Sequence, residues 1–203
     1  MFAPVLFADV SSATVDYELQ IQFVEDADWR DAVTDVLVDG VSIGVGNWNL
    51  VAGELRLNPA SIASLQYAGD RTITVIATGY NNAEVVQPLA VGAVDTSKTT
   101  MNVNPALQEG QISTVTLVAK DQYENLVSGH QFKYDVNILS NDTTTIEQYS
   151  INGVVHTVSA SFVTLPLTDS KGEVTFEIQI PATVDPEDGL LINIDGQNIS
   201  FIK

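Results

Sequence analysis

Glu25-Asp26-Ala27-Asp28-Trp29-Arg30-Asp31-Ala32-Val33-Thr34-Asp35-Val36-Leu37-Val38-Asp39-Gly40 changes backbone habit three times. Ahead of it, Tyr17 to Phe23 alternates apolar and polar residues, the period-two pattern of a half-buried strand. Asp26 or Asp28 then caps a short helical turn, since a carboxylate there accepts the orphan amide protons of a helix start. Trp29, Ala32 and Val33 fall at helical spacing on one face of that turn. Val36 and Val38 read as a strand that ends at Asp39-Gly40, a two-residue hairpin signal. One tryptophan thus sits where strand, helical turn and hairpin meet, and the burial habit of large aromatics makes Trp29 a core anchor in preference to an exposed binding residue. Gly40 serves the turn.

Outside this stretch, composition narrows the classes. The chain has 203 residues, enough for one large or two ordinary domains with real cores. Eight Lys plus Arg stand against 26 Asp plus Glu, a formal net charge of -18. Such a surface repels phosphate backbones and anionic lipid, so nucleic acid and bare membrane are poor partners and no membrane insertion is expected; it suits cations, basic proteins or a salty exterior. With no cysteine there is no disulfide, thiol nucleophile or cysteine-ligated zinc. No apolar run approaches the ~18 residues of a membrane span. The start Met1-Phe2-Ala3-Pro4 lacks the basic opening of a signal peptide, so the chain is expected to be a mature form or an excised piece of something longer. Abundant Val, Ile and Thr, with charges that rarely follow a helical period, place it in the mostly β class.

The rest of the first half is a succession of short strands. Pro4 to Asp9 is expected at a sheet edge, Val41 to Ile43 returns from the hairpin, and Gly44, Gly46 and Asn47 mark a loop around Trp48. Glu54 to Leu57 alternates. Asn58-Pro59 opens a helical turn through Ile62 and Leu65. Gly69-Asp70 turns into Arg71 to Ala77, Gly79-Tyr80-Asn81-Asn82 is a turn, and Glu84 to Leu89 is a last strand. Ile21-x-Phe23-x-x-Asp26-x-x-Trp29-Arg30-x-Ala32-Val33-x-x-Val36-x-Val38-x-Gly40, followed by Gly69-x-x-x-Ile73-x-x-x-Ala77-Thr78-Gly79-Tyr80, resembles the haemoglobin-interacting domain family over residues 4 to 90. The resemblance implies a small β-rich module of Gram-positive cell-surface proteins, found in haem-uptake receptors and, more widely, in S-layer proteins, secreted glycosidases and adhesins. It implies structural roles for Trp29, Ile73, Gly79 and Tyr80.

After a polar linker, Gly92 to Lys98, the second half begins a new set of strands at Thr99. Ser113 to Lys120 alternates, with Val115, Leu117 and Ala119 on one face. Asp121 to Asn125 is a turn, Phe132 to Ile138 a strand, and Asn141 to Thr144 a loop. Asn152-Gly153 and Asp195-Gly196 are hairpin signals. Ser161 to Leu167 leads through Asp169-Ser170-Lys171-Gly172 into Val174 to Ile178. Seven or more strands at this spacing imply a β-sandwich. Val115-x-Leu117-x-Ala119-x-Asp121-x-Tyr123-x-Asn125-x-Val127 with Asp169-x-x-Gly172-x-Val174-x-Phe176 resembles bacterial immunoglobulin-like domains of the invasin and S-layer kind, with Glu124 where glycine is usual.

No catalytic constellation is written in the chain. His130 and His156 lie far apart and outside any metal motif, and no nucleophile elbow, phosphate loop or zinc spacing occurs. Asp26, Asp28 and Asp31, or Asp185, Glu187 and Asp188, offer hard oxygen ligands for weak calcium sites, against the simpler readings of a helix cap and a solvated turn. Tyr67 and Tyr80 are the candidate axial ligands were haem to bind. The expectation is two tandem β-sandwich (immunoglobulin-like) domains, 1-94 and 95-203, the first with one or two short helical turns, in a secreted bacterial surface protein. The expected role is non-enzymatic: lattice or stalk formation in an S-layer-type protein, with possible adhesion, self-association or contact with neighbouring modules, and no cofactor beyond a possible calcium. The alternative is a ligand-binding surface module for haemoglobin, haem, another host protein or a glycan.

Overall fold

The computed structural model describes residues 1–11, 13–139, 148–157, 163–180 and 189–202. The Asp185–Asp188 cluster and the Asn141–Thr144 loop lie outside the described residues. The chain divides into two compact units, Met1–Ala93 and Val94–Lys203. Both are built of antiparallel strands.

In the first unit, β1 (Leu6–Phe7), β2 (Leu19–Phe23), β5 (Trp48–Val51) and β6 (Glu54–Leu57) form one sheet in the order β1-β2-β6-β5. β3 (Val33–Val38), β4 (Val41–Ser42), β7 (Gly69–Ala77) and β8 (Ala83–Leu89) form the other, in the order β4-β3-β7-β8. Alternation decides the faces: Leu19, Ile21 and Phe23 point inward while Gln20 and Gln22 point out. Leu55, Leu57, Val36, Val38, Ile73, Val75 and Ala77 complete the core.

The helix α1 (Ala27–Ala32) carries the chain from β2 in the first sheet to β3 in the second. Its N-cap is Asp26, whose Oδ1 accepts the Trp29 amide proton at 3.0 Å. Trp29 is fully buried and meets Phe23 edge to face, ring centroids 5.0 Å apart. β-branched Val33 takes an extended conformation at φ -66°, ψ 128° and stops the helix. The Asp39-Gly40 turn places both residues in the left-handed region, φ 50° and 79°, as a hairpin matched to strand twist requires.

One element departs from the sequence reading. Trp48 does not lie in a loop; it opens β5, and Ala52-Gly53 is a tight hairpin to β6, with Gly53 at φ 75°. The glycines before Trp48 end at Gly46, and Trp48 and Leu50 stand opposite Leu57 and Leu55 on the core side. β7 also begins earlier, at Gly69 itself.

Between β6 and β7, Asn58 caps a 3₁₀ turn by accepting from the Ala60 amide at 3.0 Å, with Pro59 in the first turn, and Ile62 and Leu65 are buried beneath. A parallel clasp closes the unit: Ala90 N–H donates to Ala13 O at 2.8 Å, Val15 N–H to Ala90 O at 3.0 Å, and Ala93 N–H to Asp16 Oδ2 at 2.6 Å. Gly92 permits this approach, because a Cβ there would stand 2.2 Å from the Asp16 carboxylate.

The second unit pairs β9 (Thr100–Asn104), β10 (Ile112–Val118), β12 (Gln148–Ile151), β13 (Val154–Thr157) and β15 (Glu173–Gln179) in the order β13-β12-β15-β10-β9. Its other sheet runs β14-β11-β16-β17, from β14 (Val163–Leu167), β11 (Gln131–Leu139), β16 (Gly189–Ile194) and β17 (Gln197–Ile202). Tyr134 of β11 stacks on Phe176 of β15, centroids 6.5 Å apart, so the two sheets face each other across an aromatic core. Val115, Leu117 and Ala119 are buried on the inner face of β10 and just beyond it. The Asn152-Gly153 and Asp195-Gly196 turns repeat the left-handed pair of Asp39-Gly40.

Buried Asp121 holds the corner after β10, accepting from the Tyr123 amide, the Asn125 amide and Asn125 Nδ2 at 2.8–2.9 Å. Glu124, in the place of the usual glycine, is itself left-handed at φ 69°, so the turn keeps a glycine backbone with a glutamate side chain. Gly172 packs against the same corner: at φ 70°, a Cβ would stand 2.9 Å from Ala119 O. Both modules are therefore mostly β and sandwich-like, with a single α-helix among the described residues.

Two expectations follow for stability. Trp29→Ala lowers the unfolding free energy of the first module by about 3–5 kcal/mol, as buried aromatic truncations do; a loss under about 1 kcal/mol, typical of surface sites, shows the anchor to lie elsewhere. Since each unit closes its own core, residues 1–93 and 94–203 expressed apart each fold. Dispersed amide proton NMR spectra check this; a collapsed spectrum from either half rejects the division.

Candidate functional site

The first unit contains three arginines and twelve carboxylates. Each arginine is spent on an internal pair: Arg30 with Glu25 at 3.1 Å, Arg56 with Glu54 at 2.7 Å, and Arg71 with Asp39 at 3.5 Å. The Glu25 carboxylate bridges Arg30 Nε and the Gly53 amide, tying α1 to the β5–β6 turn. Asp39 Oδ1 accepts from the Thr72 amide while Arg71 also donates to Tyr67 O at 2.8 Å. The remaining exposed side-chain charge of this unit is acidic.

The sequence candidates fall into place around this frame. Asp26 is occupied as the cap of α1, Asp28 lies in its first turn, and Asp31 is exposed with Arg30 at 3.9 Å. The three do not converge, and among the described residues no group of three or more His, Asp or Glu side chains is placed to hold a metal ion. Gly79 takes φ 84° in the turn after β7, and the Tyr80 amide closes that turn on Ala77 O at 3.2 Å. Partial desolvation, and then the nearby Asp26 and Asp28 carboxylates, push the Tyr80 hydroxyl above its ordinary pKa. Tyr67 is exposed in the loop before β7.

The histidines stay apart. His130 Nε2 lies 3.6 Å from Asp195 Oδ2, and its ring meets Phe132 edge to face. His156 of β13 stacks on Tyr149 of β12. Burial raises the Tyr134 hydroxyl, and likewise that of Tyr149, so these phenols serve the core.

Two surface features were not read from the sequence. One is a groove of about 330 Å³ between the β3–β4 hairpin and the 3₁₀ turn, floored by Val38, Val41 and Ile62. The other is the outer face of the sheet β4-β3-β7-β8. There the register aligns Ser42, Leu37, Thr74 and Glu84 in one row, Thr72 beside Val86 in the next, and Asp35 beside Ile76. The legible signals were the unbroken runs Val36-Leu37-Val38 and Ile73-Thr74-Val75-Ile76-Ala77, which supply apolar side chains to both faces.

Because Asp26 and Asp31 are engaged as described, calcium exchanged for sodium at fixed ionic strength leaves the melting temperature of the first module unchanged. A calcium-specific rise that follows the logarithm of ion concentration, seen in differential scanning calorimetry of residues 1–93, identifies a true site there and overturns this expectation.

The model of the Hb-interacting domain of heme-binding protein Shr-like matches residues 6–90. No curated protein matches the chain. Among solved structures, the chain is similar to the Yersinia pseudotuberculosis adhesin InvE, at 14% identity and a TM-score of 0.37, covering 98% of this chain and 58% of that one. It is similar to invasin, a bacterial integrin-binding protein, at 15% identity and a TM-score of 0.49, covering 98% and 38%. A third is the surface layer protein SbsC, domains 1-6, at 11% identity and a TM-score of 0.34, covering 98% and 27%. The chain thus spans about half or less of the length of these proteins. Residues 6–90, the strands and helix built around Trp29, are thus similar to the Shr-like Hb-interacting domain.

Proposed function

We propose that this chain is a non-catalytic module pair of a bacterial cell-surface or secreted protein, acting as a structural segment whose first module binds a protein. The observation that carries the reading is the match of residues 6–90 to the Hb-interacting domain model. Haemoglobin is the ligand that family name puts first. The surface chemistry supports a basic protein partner: the three arginines of the first module are paired internally, and its other exposed side-chain charge is acidic. The second module, a sandwich stapled by Asp121 and two Asx-Gly turns, is the spacer in a stalk or lattice.

Two measurements separate binding from assembly. Haemoglobin titrated onto the immobilised full chain gives a saturable response that residues 1–93 reproduce and residues 94–203 do not. Light scattering of the chain alone across a hundredfold range of concentration gives a monomer mass. No haemoglobin response together with a mass that grows with concentration rejects the binding role in favour of self-assembly.

A further inference from the structure

The outer sheet faces of this protein are polar in two places where their pairing is fully defined. On the second module, Thr114 stands between Asn104 and Glu177, and Thr116 between Asn102 and Thr175, hydroxyl to hydroxyl at 3.3 Å. On the first sheet of the first module, Gln20, Arg56 and Asn49 share a row, and in the next Gln22 and Glu54 form a polar centre with Phe7 and Val51 at the two edges. An antiparallel sheet with one face in water is expected to look like this.

The sheet β4-β3-β7-β8 does not. Leu37 and Ile76 are half-buried on its outer face, Val86 is 55% exposed, and Thr74 between them is buried although it lies on the outside. The centre of the face is thus uncharged and already close-packed. Its margins carry carboxylates: Asp35, which accepts from the Ser42 hydroxyl at 2.8 Å, and Glu84, 3.5 Å from the Thr74 hydroxyl. Among the described residues no lysine or arginine side chain is free to neutralise the face, since all three arginines of the module are committed to Glu25, Glu54 and Asp39.

Building on the reading that the first module binds a protein, we propose that this face is the docking surface, and that its partner presents an apolar side chain framed by lysine or arginine. An apolar centre with a charged rim is the anatomy of a protein interface. Charge fixes the occupant. A second copy would set Asp35 and Glu84 against the same carboxylates and bring two strongly acidic modules together, which like-charge repulsion opposes. A basic rim would instead be steered in, with an on-rate that falls as salt shortens the screening length.

The test pans a phage-displayed random peptide library on the full chain, then measures the selected peptides against Val86→Asp, Glu84→Lys and, as a control on the second module, Glu177→Lys. All three side chains are exposed, so the variants fold, which circular dichroism verifies. Selected peptides should carry a bulky apolar residue flanked by Lys or Arg. They should lose at least tenfold in affinity on Val86→Asp and on Glu84→Lys, and nothing on Glu177→Lys. An empty selection, peptides of other composition, or affinities indifferent to Val86→Asp overturn the proposal. So does a dimer of the chain that Val86→Asp dissolves, since the occupant is then a second copy. Haemoglobin distinguishes the two levels. If it fails to bind while basic-apolar peptides select this face, the haemoglobin reading falls and the docking surface stands. If it binds wild type and Val86→Asp equally, the reading stands and the surface falls.

Discussion

The Asp26 carboxylate takes the amide proton of Trp29, and with that bond the chain leaves one sheet and enters the other. Six residues of helix make the crossing, and a helix so short does not persist on propensity. It persists because the cap satisfies an orphan amide, Glu25 binds Arg30 across to the Gly53 turn, and the indole fills the space between the sheets. Together they hold β2 and β3 in the geometry that puts Phe23, Val36 and Val38 into one core.

The second module meets a similar problem without a helix. Its corner after β10 is held by one buried aspartate that accepts three local donors, and by Gly172, whose missing Cβ lets two turns touch. A buried carboxylate is costly unless its oxygens are filled, and here they are filled by the turn it organises. Both modules therefore rely on an aspartate that reads backbone amides. This is where an acidic composition contributes to architecture as well as to surface charge.

Much of the fold was legible because it obeys short-range rules. Alternation in Leu19–Phe23 and Ile112–Val118, the cap at Asp26, and the left-handed pairs Asp39-Gly40, Asn152-Gly153 and Asp195-Gly196 are local chemistry. Strand β5 was not legible: Trp48-Asn49-Leu50-Val51 is too short to announce itself after two glycines, and it is stabilised by its pairing with β6. The likeness of the first module to the Hb-interacting domain was legible from the Trp29 and Ala77-Thr78-Gly79-Tyr80 marks. The outer face of β4-β3-β7-β8 was not, because an apolar run shows that both faces are apolar but not which residues of three other strands lie beside them. Nor does a cluster of aspartates in sequence say whether its members converge. Asp26, Asp28 and Asp31 are spread by the helix that one of them caps.

The clasp between residues 13–16 and 90–93 bears on mechanics. Its two strands run parallel, and its main-chain bonds, Ala90 to Ala13 and Val15 to Ala90, lie side by side across the line of the chain. Tension that reaches the clasp from opposite directions pulls along the strands, so both bonds, with the Ala93–Asp16 bond beside them, are strained together and must rupture together. An antiparallel hairpin pulled from its open end parts one bond at a time. A surface segment that keeps its first module folded under drag benefits from the former arrangement, and Gly92 leaves room for the Asp16 carboxylate that makes the third bond.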